Sequence, residues 1–406
     1  MKRCANLSIN LVAITAGRHL QLSHPLTGKM SIELVHGKRF CEVLVATFKF
    51  FWASIILGND PGRRSFTLSS RGASQSVPRS ILHLHPVRSV SMCTAVRLTD
   101  KNNNLYVGRN LDWGVPFGEK PLLVPADWTW QSRHIGAIAT QSPIIGMGLL
   151  MKDMPLYFDA VNEAGLYCAG LSFAAGFAHY NDADPSKINV TSFEMPLWVC
   201  SEFTTVAQVK EAAQNLNITN DAFDPSLPTS DLHWFVADKD QSIVIEQTAE
   251  GLKIYDDGFD VLTNQPDFQF HCNNMRNYIH LDGDWTPERT MRNAHLTALG
   301  VGPSVMGLPG DPSAISRFVR VALLNASYPD QDDDADNITR LFKTLNAVSM
   351  VKGYCRQESG DFEYTIYTGG FDSTTGTYRY TTYDDPAYHT FSFADAASLS
   401  APANLK

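Results

Sequence analysis

Apolar and polar residues alternate over 93–98 and again over 105–109, and the polar cluster Asp100-Lys-Asn-Asn-Asn104 lies between them. A period of two marks strands that send successive side chains to opposite faces, and a short Asn-rich interval joins two such strands as a hairpin. The spacing therefore sets residues near 93 and 109 side by side. More strands are predicted at 155–161 and 166–173, with the turn Asn162-Glu-Ala-Gly165 between them and a short apolar run at 122–124. Helical spacing of apolar residues follows at 193–203, and Thr204 or Thr205 caps a second helix over 206–216. Strands return at 232–237, 242–247, 252–255 and 261–263. Ile315, Phe318, Val319, Ala322 and Leu323 share one face of a helix, and 337–348 forms another. Strands at 362–368, 377–383 and 389–393 close the chain. Helices come in groups and strands as hairpins, which predicts an α+β architecture rather than alternating β-α-β units.

The first 92 residues differ in kind. They hold 12 Lys and Arg against 3 Asp and Glu, whereas 93–406 hold 21 against 39. They show no sustained periodicity. Apolar patches occur at 7–16 and at 43–57, the second interrupted by Lys49. Lys2 and Arg3 ahead of the first patch make a weak leader pattern, broken by Asn6 and Asn10. Residues 60–91 are rich in Arg, Ser and Pro and read as disordered. The expectation is a basic upstream segment over 1–92, removed or never part of the native protein, as a translation start placed too early would produce. Met92 is then the functional start, and 93–406 form one folded domain. A cytoplasmic location follows, or export if 1–92 carry a working signal.

The full chain has 406 residues, 44% hydrophobic and 18% charged, which suits a globular protein with its own core. A formal net charge of -9 points away from nucleic acid. No run of 18 uncharged apolar residues is present, so no membrane span is predicted. The seven cysteines include no C-x-x-C pair, which disfavours a disulfide framework or a zinc ribbon. His83-Leu-His85 has no acidic or Cys partner nearby, and no metal or cofactor is expected. No internal repeat and no glycine-rich phosphate loop occur in 93–406.

Position makes Cys93 the candidate for chemistry. With Met92 and everything before it removed, one residue carries both a thiol and a free α-amine. Their reference pKa values of about 8.5 and 7.7–8.0 let the amine serve as base near neutral pH, with no catalytic His. In Gly108-Arg-Asn-Leu-Asp-Trp113, a cation from Arg109 beside Cys93 favours thiolate, and the Asp112 carboxylate orients the amine. Read blandly, the same two residues are a surface ion pair on a turn.

Met92-Cys-Thr-Ala-Val96 together with Gly108-Arg-Asn-Leu-Asp-Trp113 resembles the choloylglycine hydrolase family, the conjugated bile salt hydrolases and penicillin V acylases. Further blocks agree in order, among them Val161-Asn-Glu-Ala-Gly-Leu166, Leu232-His-Trp-Phe-Val-Ala-Asp238, Leu262-Thr-Asn-Gln-Pro266, Ser316-Arg-Phe-Val-Arg320 and Tyr380-Thr-Thr-Tyr-Asp384. The resemblance spans 93–406 and none of 1–92. It implies an N-terminal nucleophile hydrolase, a four-layer α-β-β-α sandwich and hydrolysis of a linear, non-peptide amide. It also implies a homotetramer acting on a small-molecule amide. Carried over by position, Cys93 is the nucleophile, Arg109 and Asp112 flank it, Asn264 is an oxyanion donor, and Arg317 fixes the reacting centre, with the turn Gly310-Asp-Pro312 aiming it inward. Ser172 stands where the family has Asn or Tyr in the oxyanion hole, so a backbone N–H or a water has to serve there. Leu111 replaces the family's Met against the acyl group. Bile conjugates are the expected substrates. The alternatives are penicillin V, an acyl-homoserine lactone, or a non-enzymatic scaffold if Cys93 is never exposed.

Overall fold

The computed structural model describes residues 92–405 except 226, 228, 286–287 and 329–336, together with the backbone of 8–15, 18–25 and 31–35. The chain divides into two compact units, Met1–His83 and Leu84–Lys406. In the first, Ser8–Thr15, Arg18–Pro25 and Ser31–Val35 pair antiparallel in chain order. Most of the apolar stretch 7–16, read above as a weak leader, is thus a strand where no element was predicted. The patch 43–57, the segment 60–91 and His83-Leu-His85 lie outside the described residues.

The second unit is built on two antiparallel sheets. In the first sheet the order is Val261–Leu262, Met92–Thr99, Leu105–Trp113, Phe362–Asp372, Thr377–Thr382 and His389–Ser392, with Cys355–Arg356 paired to Phe362–Asp372. In the second it is Gly251–Asp256, Ser242–Thr248, Leu232–Ala237, Tyr167–Ser172, Met154–Asn162, Ile144–Met151, Lys120–Val124 and Ala403–Asn404. The helices Ala314–Ala326 and Asn337–Asn346 pack on the first sheet, and Met195–Glu202 and Val206–Ala213 on the second. This is the α-β-β-α sandwich expected from the sequence. One apolar core fills the space around the first sheet, with Val96, Leu171, Phe318 and Leu341 in it; another joins the second sheet to its helices through Ile144, Trp198 and Val236.

The hairpin Met92–Thr99 and Leu105–Trp113 is covered on both faces and buried along nearly its whole length. Its turn is held by Asp100, whose Oδ1 accepts from the N–H groups of Asn102 and Asn104, while Asn103 takes the left-handed conformation (φ 61°) that Asn tolerates.

Two β-bulges break the alternation near the middle of the sandwich. Met154–Asn162 slips register between Tyr157 and Asp159, and Phe362–Asp372 slips between Thr365 and Tyr367. A bulge inserts one extra residue, so side chains two apart no longer share a face. Tyr157 accordingly bonds outward to the carbonyls of Leu122 and Ile144, while Asp159 reaches across to the first sheet.

The helix predicted over 206–216 stops at Ala213, and Leu216–Thr219 pairs in parallel with Ile188–Thr191. The alternation of Leu216 and Ile218 with Asn217 and Thr219 favours the extended form. Pattern reading also passed over Ile144–Met151, the short hairpin Thr129–Ser132 with Gly136–Ala139, and the helix Phe268–Met275.

Candidate active site

Hairpin register sets Cys93 opposite Leu111 and Ala95 opposite Arg109. Alternation sends these four side chains to the face turned to the second sheet, and Thr94, Asn110 and Asp112 to the helix side. The contacts agree. Arg109 Nη1 donates to the carbonyls of Phe158 (2.9 Å) and Gly170 (2.6 Å) on the second sheet. Asn110 Nδ2 donates to the carbonyl of Leu345 at 2.8 Å on the helix side.

Arg109, fully buried, donates through Nη2 to Cys93 Sγ at 2.8 Å. Burial pushes the Cys93 thiol above its ordinary pKa. The Arg109 charge and the N–H groups of Asp112 and Ser172 pull it back down, whereas the Asp112 charge pushes it up. Of Ser172, it is therefore the backbone that faces the sulfur. Leu111, also buried, packs directly across from Cys93.

On the amine side, the N–H of Cys93 donates to Asn264 Oδ1 at 2.7 Å. The same oxygen accepts from Arg317 Nη2 at 2.6 Å, and Asn264 Nδ2 donates to the carbonyl of Ser172 at 3.0 Å. Arg317 Nη1 donates to Thr94 Oγ1 at 2.6 Å and to the carbonyl of Cys93. Its direction is set at the start of its helix. Ser313 caps the N-terminus, Ser316 Oγ donates to Asp311 Oδ2 at 2.6 Å, and Arg317 Nε donates to the carbonyl of Pro312 at 2.9 Å. The turn Gly310-Asp-Pro312 thus holds Arg317 inward rather than on the helix surface.

Asp112 Oδ1 accepts from Thr365 Oγ1 at 2.6 Å, and its buried Oδ2 has no partner among the described residues. Burial pushes this carboxyl up to about 6, against the pull of Arg317, Thr365 and Arg109. The N–H of Met92 donates to Glu363 Oε1 at 2.5 Å, and burial pushes Glu363 up to about 7.

All seven residues singled out in the sequence meet here: Cys93, Arg109, Asp112, Ser172, Leu111, Asn264 and Arg317. Sequence reasoning missed the groups that hold the loop bearing Asn264. His271 Nε2 donates to the carbonyl of Asn264 at 2.8 Å, and burial pushes the ring down to about 4, which keeps it neutral. His233 lies between Glu246 Oε1 (3.0 Å) and the carbonyl of Thr263 (3.1 Å). The block Leu232-His-Trp had flagged His233 without giving it a task. Phe173 is fully buried and stacked on His233 at 4.5 Å, so it lines no open wall. The apolar rim is Trp113, Phe117 and Phe158, with ring centroids 5.1 and 5.4 Å apart in that order.

A thiol, a guanidinium on the sulfur and a clamped backbone nitrogen on one residue make a site for nucleophilic attack on a carbonyl. Residues 93–400 match the family model of linear amide C–N hydrolases, choloylglycine hydrolase family, and the chain belongs to that family. It is 44% identical over 305 residues to a bile salt hydrolase/transferase of Bifidobacterium longum subsp. longum, covering 75% of this chain and 96% of that one. A conjugated bile acid hydrolase from Clostridium perfringens superposes with a TM-score of 0.72 at 32% identity, over 77% of this chain and 96% of the other. A penicillin V acylase from Agrobacterium tumefaciens shares the fold, with a TM-score of 0.61 at 19% identity over 76% and 90%.

Proposed function

We propose that the chain hydrolyses the amide of conjugated bile salts, releasing glycine or taurine, with Cys93 as N-terminal nucleophile. The observation that carries the reading is the double hold on Cys93: Arg109 Nη2 at 2.8 Å from its sulfur and Asn264 Oδ1 at 2.7 Å from its nitrogen. The active form begins at Cys93, with residues 1–92 no part of it. As a peptide amide the nitrogen has no basic lone pair; as an α-amine it takes the thiol proton.

The thiolate then adds to the substrate carbonyl carbon, and its C=O bond pair moves to oxygen. The backbone N–H of Ser172 and the second N–H of Asn264 Nδ2 face that oxyanion. Collapse restores the C=O bond and breaks the C–N bond, and the Cys93 ammonium gives its proton to the departing nitrogen. Water, deprotonated by the same amine, hydrolyses the thioester and frees the acid and the thiol. Arg317 holds Asn264 and the Cys93 carbonyl in place, and Asp112 offers its unpaired oxygen toward the amine side. The rim of Trp113, Phe117 and Phe158 suits a steroid face.

Two further expectations belong to this reading. A homotetramer is supported by the apolar side chains exposed on the arm around Arg289–Met291 and Ala294–Leu296: Trp285, Met291, Leu299, Val301 and Met306. A cytoplasmic location is kept from the sequence reading; among the described residues, no helix is long and apolar enough to cross a membrane.

The test offers glycocholate, taurocholate and penicillin V side by side to protein beginning at Cys93. The expected result is a higher kcat/KM for the bile conjugates. Faster release of phenoxyacetate would make Ser172 and Leu111 marks of an acylase and sink the bile-salt reading.

A further inference from the structure

Next along the strand from Phe158, whose carbonyl accepts from Arg109, lies a buried carboxylate that the mechanism above does not use, and its charge and that of Arg109 act on each other. Asp159 is fully buried and bonded by both oxygens: Oδ1 accepts from Tyr367 at 2.5 Å and Oδ2 from Tyr378 at 2.6 Å. Both oxygens accept, as those of an ionised carboxylate do; burial pushes the carboxyl up, and the Arg109 charge and the tyrosine hydroxyls pull it back down. Tyr367 and Tyr378 are fully buried too.

Three features of the backbone converge to build this cluster. The bulge at Tyr157/Asp159 turns Asp159 toward the first sheet and leaves the carbonyl of Phe158 on Arg109 Nη1. The facing bulge at Thr365/Tyr367 gives the two residues opposite tasks: Thr365 bonds Asp112 on the helix side, and Tyr367 bonds Asp159 between the sheets. Gly369, opposite Arg109 in register, leaves room for the second tyrosine, since a Cβ there would stand 2.2 Å from the Tyr378 hydroxyl. Bulges next to active sites re-aim side chains, and here two of them serve one carboxylate.

We propose that Asp159, held by Tyr367 and Tyr378, is the buried counter-ion of Arg109 and a positioning residue that limits how much thiolate Cys93 carries. The inference rests on the reading of Cys93 as nucleophile. A guanidinium alone beside a buried thiol drives it toward a low-pKa, weakly nucleophilic thiolate, and the best attacking thiol has a pKa near ambient pH. A second anion acting on the same guanidinium offsets that pull. It keeps the thiol near the α-amine in proton affinity, so that the proton passes readily between them.

Charged and titratable groups face both members of the pair. Around Cys93 these are Arg109, Asp112 and Arg317. Around Asp159 they are Arg109, Tyr167, Tyr367 and Tyr378, with the neutral thiols Cys168 and Cys200 and the Tyr157 hydroxyl beyond. Arg109 is the cation common to both sets.

The experiment measures iodoacetamide alkylation of Cys93 from pH 5 to 10 in protein beginning at Cys93. It is read on the Cys93 peptide by mass, because Cys272 and Cys355 are also partly accessible. Asp159→Asn is expected to lower the alkylation midpoint by about one pH unit and the high-pH plateau roughly threefold, the nucleophilicity lost with basicity. Asp159→Ser removes the same charge with a smaller side chain; it is expected to shift the midpoint the same way, and it carries the test should the Asn variant fail to fold. A midpoint that stays or rises in the folded variants overturns the proposal and leaves Asp159 a clamp between sheets. Failure of the nucleophile reading shows elsewhere, as Cys93→Ala protein that still hydrolyses at the parental rate.

Discussion

Among the described residues three cysteines are fully enclosed, Cys93, Cys168 and Cys200, and their surroundings differ. Cys168 and Cys200 sit in the core between the second sheet and its helices, among Leu166, Trp198 and Val199. Burial drives both thiols well above their ordinary pKa; the charge of Asp159 pushes both the same way, and that of Cys200 also raises Cys168. Cys93 is as deeply enclosed, yet the Arg109 guanidinium donates to its sulfur at 2.8 Å, and no cation is among the groups acting on Cys168 or Cys200. Burial by itself therefore makes a thiol inert. What distinguishes Cys93 is the guanidinium on its sulfur and, on the proposed reading, a backbone nitrogen that becomes a base once it is the N-terminus.

The hardest test of that difference removes each sulfur in turn. Cys93→Ala is expected to lower kcat/KM by on the order of 10^4 or more with the melting curve little changed. Cys200→Ala should leave the rate within about twofold and cost roughly 1–2 kcal/mol of stability through lost packing. Equal losses of rate in steady-state assays of the two variants would erase the contrast. A smaller effect separates the cation from the sulfur. Arg109→Met turns the surroundings of Cys93 toward those of Cys200, so kcat/KM should fall about 10^2–10^3-fold and the alkylation midpoint of Cys93 should rise. A midpoint that falls would mean Arg109 does not stabilise thiolate.

The smallest effect concerns Glu363, a buried acid that accepts from the N–H of Met92, the residue before Cys93. Its carboxyl is raised from 4.5 to about 7 by burial. Below pH 4.5 both folded and unfolded chains hold this proton. As pH rises toward 7 the unfolded chain loses it first, so the folded state loses stability. Glu363→Gln should therefore gain on the parent between pH 4.5 and 7, by on the order of 1–3 kcal/mol, and hold that gain above pH 7. Urea melts at pH 4.5 and 8 decide it; a parent that gains on the variant as pH rises would mean the ionised form is the one the fold favours.

The reach of the sequence followed the regularity of the backbone. Period-two alternation and the Asn-rich turn were enough to bring Cys93, Arg109 and Leu111 to one face. Asn264 and Arg317 stood on the family resemblance, because a loop Asn before Pro and an Arg in a first helical turn have no periodicity that aims them. The histidines behind Asn264 and the cluster around Asp159 were not legible. Counting by twos puts Thr365 and Tyr367 on one face, and a bulge reverses exactly that inference without leaving a mark in composition. The strand Ile144–Met151 was passed over because it is apolar nearly throughout and shows no alternation.

In the chain with Met92 attached, Cys93 already has its nitrogen on Asn264, its sulfur on Arg109 and its carbonyl on Arg317. On the proposed mechanism, shape and competence are therefore separate properties of this protein. A preparation with residues ahead of Cys93 would have a complete-looking catalytic pocket, pass a crystallographic inspection and bind pocket-shaped inhibitors, yet contain no working centres. Protein concentration is then the wrong denominator for its specific activity, and the count of free N-terminal cysteines is the right one.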